Sequence, residues 1–266
     1  MLKVLVFDGG YGGEVVKDFL ADELNVVEVS MEIDYSHGSY DSKPCQEIYD
    51  LAVKILSQHI GKFDLIVLGG YSVSLVLQQL QETFPDQNFV GVGINYYRIL
   101  KANTYPEHIT VMMNEQLLES DLATQLRRNL PYSTLTMPDC SEWEYLIRVD
   151  KLSSQIMRTD LEPYFMLAAE TVTERKAKQL QIKTGSILES IMIEKHRQET
   201  QAQSNWNQPL IESDVVLLLN TGFWAVQEQI EKLFGYKVRV MSFRQKLLHD
   251  VCAALGLLGR DGQRSK

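Results

Sequence analysis

The chain has 266 residues, a mass of 30.4 kDa and a formal net charge of −9, from 26 Lys and Arg against 35 Asp and Glu. That length suits one or two domains with a full hydrophobic core, and the acidic balance disfavours nucleic acid and anionic membrane as partners. Three scattered cysteines, Cys45, Cys140 and Cys252, match no zinc spacing and cannot complete a disulfide set. With no apolar run long enough to span a bilayer, a reducing, cytoplasmic setting without a resident metal is expected.

In chain order, Val4 to Phe7 reads as a strand, followed by a glycine cluster and a helix from about Gly13 to Leu24. Val26 to Val29 is a second strand candidate, and Ser30 to Lys43 reads as a polar, aromatic loop. Pro44 suits a helix start, and Ile48, Leu51, Ala52, Ile55 and Leu56 recur with helical period. Leu65 to Leu68 reads as a strand, after which Ser72 is placed to cap a helix reaching about Thr83. Further strands are expected at Val90 to Val92, Ile109 to Met112, Thr134 to Thr136, Val215 to Leu219 and Val238 to Val240. Strands alternating with helices predict βαβ units and mainly parallel sheets, here enough for two α/β domains. From about Ser141 to Gln208 the strand signal stops. Helix formers dominate Leu167 to Gln181 and Ser186 to Gln201, with Gly185 between them as a C-cap. This enlarged helical segment reads as a cover over hydrophobic surface or, alternatively, as a lid or docking arm.

The segment Phe7-Asp8-Gly9-Gly10-Tyr11-Gly12-Gly13 closes a strand and opens a helix, where glycines admit a small anion to the helix N-terminus. A tight turn with Asp8 as a cap explains it equally well. The spacing is not that of a dinucleotide fingerprint, so no nicotinamide cofactor is expected. Three further blocks accompany it. These are Asp34 with Tyr40-Asp41-Ser42-Lys43 and Glu47-Ile48; Asp64 through Gly70 to Ser74; and Asp214 through Asn220 to Trp224.

In this order the four blocks resemble the F-D-S-G-x-G-G, P-Y-G-x-K…E-I, D-x-I-V-I-A-C-N-T-A-S and D-x-L-I-L-G-C-T-H-Y-P elements of glutamate racemases, in the aspartate/glutamate racemase superfamily. Val90 to Asn95 resembles the V-I-G-V segment between them. The likeness is good over residues 1 to 102, weak over 105 to 140, and one of pattern over 212 to 240. It implies two similar α/β domains around a cleft, the first formed by residues 1–98 and 242–266, the second by 99–241 with a helical insertion at about 141–208. It also implies self-association as a homodimer and no cofactor.

The resemblance implies inversion of an amino-acid α-carbon by two facing cysteines, one removing and one returning a proton. At those positions this chain has Gly70 and Asn220, neither of which exchanges protons. Gly222 stands at the family's histidine, and Gly9 and Tyr71 replace two supporting polar residues. Gly9 and Gly70 are expected to leave extra room in the pocket, part of it taken by Tyr71 and Trp224. Asp8 and Asp34, at strand ends, are the candidate replacement bases. His37, in the polar loop, is either a ligand or base or an ordinary solvated histidine. Ser72 and Thr221 match positions that hold the amino and carboxylate groups of the ligand, and Tyr40, Asp41 and Ser42 match the loop that grips its distal carboxylate. Asp41 replaces a glycine there and opposes an acidic ligand.

Three functions remain open. The first is a racemase-fold pseudoenzyme that binds a small carboxylate or amino acid through Asp8, Gly9, Tyr40, Asp41, Ser42, Tyr71, Ser72, Asn220 and Thr221. The second is a regulatory or scaffolding protein with a vestigial pocket. The third is a cofactor-independent racemase or isomerase with altered acid–base residues.

Overall fold

The computed structural model describes residues 1–93, 106, 108–114, 117, 121–131, 133–161, 213–235 and 238–258. Among the described residues eight strands lie in two four-stranded sheets, and each of their pairings is parallel. In the first sheet β1 (Leu2–Asp8) lies between β2 (Val27–Ile33) and β3 (Leu65–Leu68), and β4 (Phe89–Gly91) pairs with β3. In the second, β5 (His108–Met112) lies between β6 (Thr134–Thr136) and β7 (Val215–Leu218), and β8 (Arg239–Met241) pairs with β7. The order 2-1-3-4 is thus repeated as 6-5-7-8. This is the expected pair of similar α/β units.

The short apolar runs form strands because each inner strand is buried on both faces. Val4 and Val6 enter a core cluster that also takes Leu65, Val67, Ile109, Val111, Val215 and Leu217 from both sheets. The alternating partners Leu5, Phe7, Ile66 and Leu68 face an outer cluster over the first sheet, and Val216 and Leu218 face one over the second. The two-residue period of a strand sorts neighbours onto opposite faces in this way. A central hydrophobic layer therefore joins the two sheets.

Helix α1 (Tyr11–Glu23) follows β1, α2 (Cys45–Leu56) follows Pro44, α3 (Tyr71–Ser74) and α4 (Leu77–Thr83) follow β3, and α5 (Asp121–Asn129) follows β5. Helix α6 (Ser141–Arg148) precedes a second helical stretch, described over 154–161. Asn220 opens a 3₁₀ turn, Thr221–Val226, which runs into α7 (Gln227–Phe234), and α8 (Arg244–Ala254) packs against β3 and β4.

Two local expectations need correction. The polar loop begins after Ile33 rather than at Ser30, because β2 continues along the whole length of β1. The single helix from Ser72 to Thr83 is two short helices. Gly70 is the N-cap, Ser72 lies inside α3, and the chain leaves helical geometry at Val76 (φ −98°, ψ 10°). The expected helices at Leu167 to Gln181 and Ser186 to Gln201, the C-cap at Gly185 and the loop up to Pro209 lie outside the described residues. Among the described residues no helix is long and apolar enough to cross a membrane.

Candidate functional site between the two sheets

The C-terminal ends of β1, β3 and β7 meet at one cavity, the usual place for a site in parallel α/β sheets. Asp8 ends β1, Gly70 follows β3, and Asn220 follows β7 at the position topologically equivalent to Gly70. The walls include Asp8, Gly9, Tyr40, Asp41, Gly70, Tyr71, Asn220 and Thr221, eight of the residues singled out from sequence. Gly10, Gly12, Ser39, Leu117, Glu144 and Leu219 complete them. The free space is small, about 30 Å³, which is room for about two water molecules.

Glycine at positions 9 and 70 leaves no free room here. A Cβ on Gly70 would lie 2.5 Å from Asp8 Oδ1, so the Asp8 carboxyl group stands where a side chain at position 70 would begin. A Cβ on Gly9 would lie 2.4 Å from the Tyr40 ring. The expected extra room is therefore absent: an aromatic ring and a carboxyl group have moved into it. Trp224 is not a wall of the cavity. It packs edge-on against Phe19 of α1 in the central core.

Asn220 is held at both ends of its amide. Its Oδ1 accepts from the Gly222 N–H at 2.8 Å, capping the 3₁₀ turn, and its Nδ2 donates to Glu144 Oε2 at 3.2 Å. Glu144 projects from the first turn of α6. Nothing in its local sequence separates it from Glu142 beside it; only the tertiary packing of α6 on the turn after Asn220 brings it to the cavity.

Three carboxyl groups thus face one another, and burial governs all three. Burial pushes the Asp8 carboxyl from 3.8 up to about 8; the Gly9 N–H opposes the shift, and the charges of Asp41 and Glu144 reinforce it. Burial also raises Asp41, against the hydrogen bonds it accepts from Ser72 and Asn114. Glu144 is raised by burial and by the Asp41 charge, while Asn220 and Arg148 pull it down. The Arg148 guanidinium sits over the Tyr11 ring, 5.6 Å from its centre. Among the described residues lining the cavity none is Lys, Arg or His.

The remaining candidates lie beside the cavity rather than in its wall. Asp34 is buried behind Tyr40, whose hydroxyl donates to Asp34 Oδ2 at 2.9 Å; Ser36 Oγ and His37 Nδ1 also bond its carboxylate. Burial alone would raise this carboxyl, but the bonds from Ser36, His37 and Tyr40 outweigh it and hold Asp34 at about 2. His37 is thus a partner of Asp34 on the exposed loop. Ser42 caps its own turn by donating to the Ser39 carbonyl at 3.1 Å. Ser72 donates its hydroxyl to Asp41 Oδ1. Cys140 and Cys252 are buried in hydrophobic clusters away from the cavity, and Cys45 starts α2. Among the described residues no group of three or more His, Cys, Asp or Glu is arranged to hold a metal ion.

No protein-family model matches the chain. No curated protein matches it in sequence. Solved structures do match in shape. Escherichia coli glutamate racemase, in complex with L-glutamate and the activator UDP-MurNAc-ala, superposes with a TM-score of 0.66 at 18% identity, covering 100% of this chain and 86% of that one. Campylobacter jejuni glutamate racemase gives 0.63 at 16% identity, covering 95% and 85%. Francisella tularensis glutamate racemase in complex with D-glutamate gives 0.61 at 14% identity, covering 97% and 84%. At these identities the likeness establishes architecture, and the chain has the two-unit α/β fold of the glutamate racemases.

Proposed function

We propose that this chain is a racemase-fold binding protein whose cavity between the sheets, enlarged by displacement of the side chains that fill it, takes a small amino compound, an amino acid among them, and does not racemise it through thiols. The carrying observation is that Gly70 and Asn220, at equivalent points of the two sheets, both face the cavity without an acid–base side chain, and that Asn220 is committed to capping and to Glu144. Three acidic walls, with no Lys, Arg or His among the described lining residues, favour an ammonium group over a free dicarboxylate, since like charge in a buried site is strongly disfavoured. The division of the chain at about residues 98 and 241, with the C-terminal segment returning to the first unit, belongs to the same proposal and is supported by α8 packing on β3 and β4.

One-base proton chemistry at Asp8 is the second reading. It is favoured by a carboxyl group with a pKa of about 8 standing in the space beside Gly70, because a base works best near the operating pH. One NMR experiment tests both. Amino acids, simple alkylamines and dicarboxylates are added to the protein in heavy water. Line broadening by the amines and amino acids, with α-proton signals persisting at the no-protein rate, is the expected result. Accelerated loss of an α-proton signal, abolished in Asp8→Asn, would move the second reading to the front. Absence of any response to the amines removes the first.

A further inference from the structure

Asp41 sits in the 3₁₀ turn Tyr40–Ser42, half-buried as a residue but with its carboxylate end enclosed in the cavity wall. One oxygen accepts from Ser72 Oγ on α3 of the first unit, and the other accepts from Asn114 Nδ2, just past β5 of the second, at 2.6 Å. The donor direction of Asn114 is fixed, because its Oδ1 accepts from the Leu117 N–H at 2.9 Å, leaving the NH₂ end for Asp41. Two preset neutral donors, one from each sheet, therefore converge on a two-oxygen anion, and no cation is needed to explain why the carboxylate is there. A carboxylate caught by oriented donors makes charge-assisted bonds stronger than neutral ones.

We propose that Ser72 and Asn114 form a carboxylate-binding subsite and that the Asp41 side chain is its built-in occupant. The protein carries its own substitute for a ligand's carboxylate on a short turn anchored by the buried Tyr40. A free carboxylate enters only when that side chain is removed or turned out. Asp41 is also one of the three acids of the amine site, but its hold by Ser72 and Asn114 stands whether or not the wild-type protein binds an amine. It also adds a reason, independent of the other two acids, for the unaltered cavity to refuse dicarboxylates: the donors that would receive them are taken.

The test is chemical rescue. Asp41→Gly empties the subsite, and Asp41→Ser, which keeps a small polar side chain, is carried in parallel. Both are titrated with acetate at constant ionic strength, with acetamide as the neutral analogue, and followed by thermal unfolding and by acetate line broadening. The expected result is that acetate raises the melting temperature of the variants and binds them at least about tenfold more tightly than the wild type, the scale of one charge-assisted hydrogen bond. Acetamide leaves them unchanged, and adding Ser72→Ala to Asp41→Gly cancels the rescue. A purely structural tie between the sheets would weaken in the variants without responding to acetate. Variants that acetate neither stabilises nor helps to fold overturn the proposal. So does a wild-type protein that binds acetate as well as they do.

Discussion

Asp8 and Asp34 end adjacent strands of one sheet, and the Asp34 N–H donates to the Asp8 carbonyl at 2.9 Å. Both side chains are buried, yet one is pushed up to about 8 and the other held at about 2. The difference lies in their donors. Asp34 is met by Ser36, His37 and Tyr40, whereas Asp8 has the Gly9 N–H at 2.8 Å and faces two further acids across the cavity. Burial sets the size of the stakes, and hydrogen bonds decide the direction. The sequence reading that treated these two aspartates as equivalent candidate bases cannot separate them, because Asp34's donors come from the loop it begins and Asp8's opponents come from distant elements.

The largest effect that would break this contrast is in pH dependence. The folded Asp8 pKa of about 8 lies above the ordinary 3.8, so its contribution to stability is full below about pH 4 and is lost as pH rises through 8. Between pH 5 and 8 the protein is expected to melt at falling temperature. Asp8→Asn should flatten that slope by up to about 1.4 kcal/mol per pH unit. Asp41 and Glu144, also raised, leave a residual slope of the same sign. A slope identical in the variant would mean that Asp8 is ionised throughout.

Gly70→Cys is the next test. Its Cβ would meet Asp8 Oδ1 at 2.5 Å, so a single thiol is expected to cost about 1–3 kcal/mol by overpacking and not to restore amino-acid inversion. Chemical denaturation measures the first and polarimetry of L-glutamate the second. An unchanged midpoint would show that the Asp8 carboxyl swings aside freely.

The Asp34 side of the comparison is expected to give an effect of similar size. Its depressed pKa means its contribution is present above 3.8 and lost as pH falls through 2, so at neutral pH it is complete. Tyr40→Phe, which deletes one charged hydrogen bond, should lower stability by about 1.5–3 kcal/mol at pH 7 if Asp34 is left short of donors, and by less where Ser36 and His37 compensate. Urea unfolding at pH 7 and pH 2.5 should show the difference shrinking in acid.

The fold was legible because its determinant is local: short runs spaced by helical lengths become strands, the inner ones apolar and covered on both faces and the edge strands β2, β6 and β8 partly exposed. The break in the helix after Ser74 was not, since Leu75 and Val76 carry no breaker residue and the chain turns there to let Ser74 Oγ reach the Leu68 carbonyl and the Val92 N–H. Within the site, Asp8, Gly70 and Asn220 could be named from motifs at strand ends. Glu144 and Asn114 could not. Each sits in an unremarkable stretch: Glu144 joins the cavity wall through the packing of α6, and Asn114 reaches the site only through its bond to Asp41. The use of glycine was misread for the same reason. A missing side chain in sequence looks like space, but in the packed molecule Tyr40 and Asp8 occupy it.

Tyr71 is the last wall residue to weigh. Its hydroxyl donates to the Leu218 carbonyl at 2.9 Å and lies 3.3 Å from that of Ser242, while its ring presses on Gly93, whose φ of +68° and crowding leave no place for a side chain. In mechanical terms this is a pin joint. A tyrosine rooted in one sheet is fastened to the backbone of the other at the buried end of the cavity. The two units cannot draw apart there without breaking it. Nearer the exposed rim, where Ser39 lies, Asp41 and Asn114 make a second tie, so the cleft is fastened across the units at two separate points.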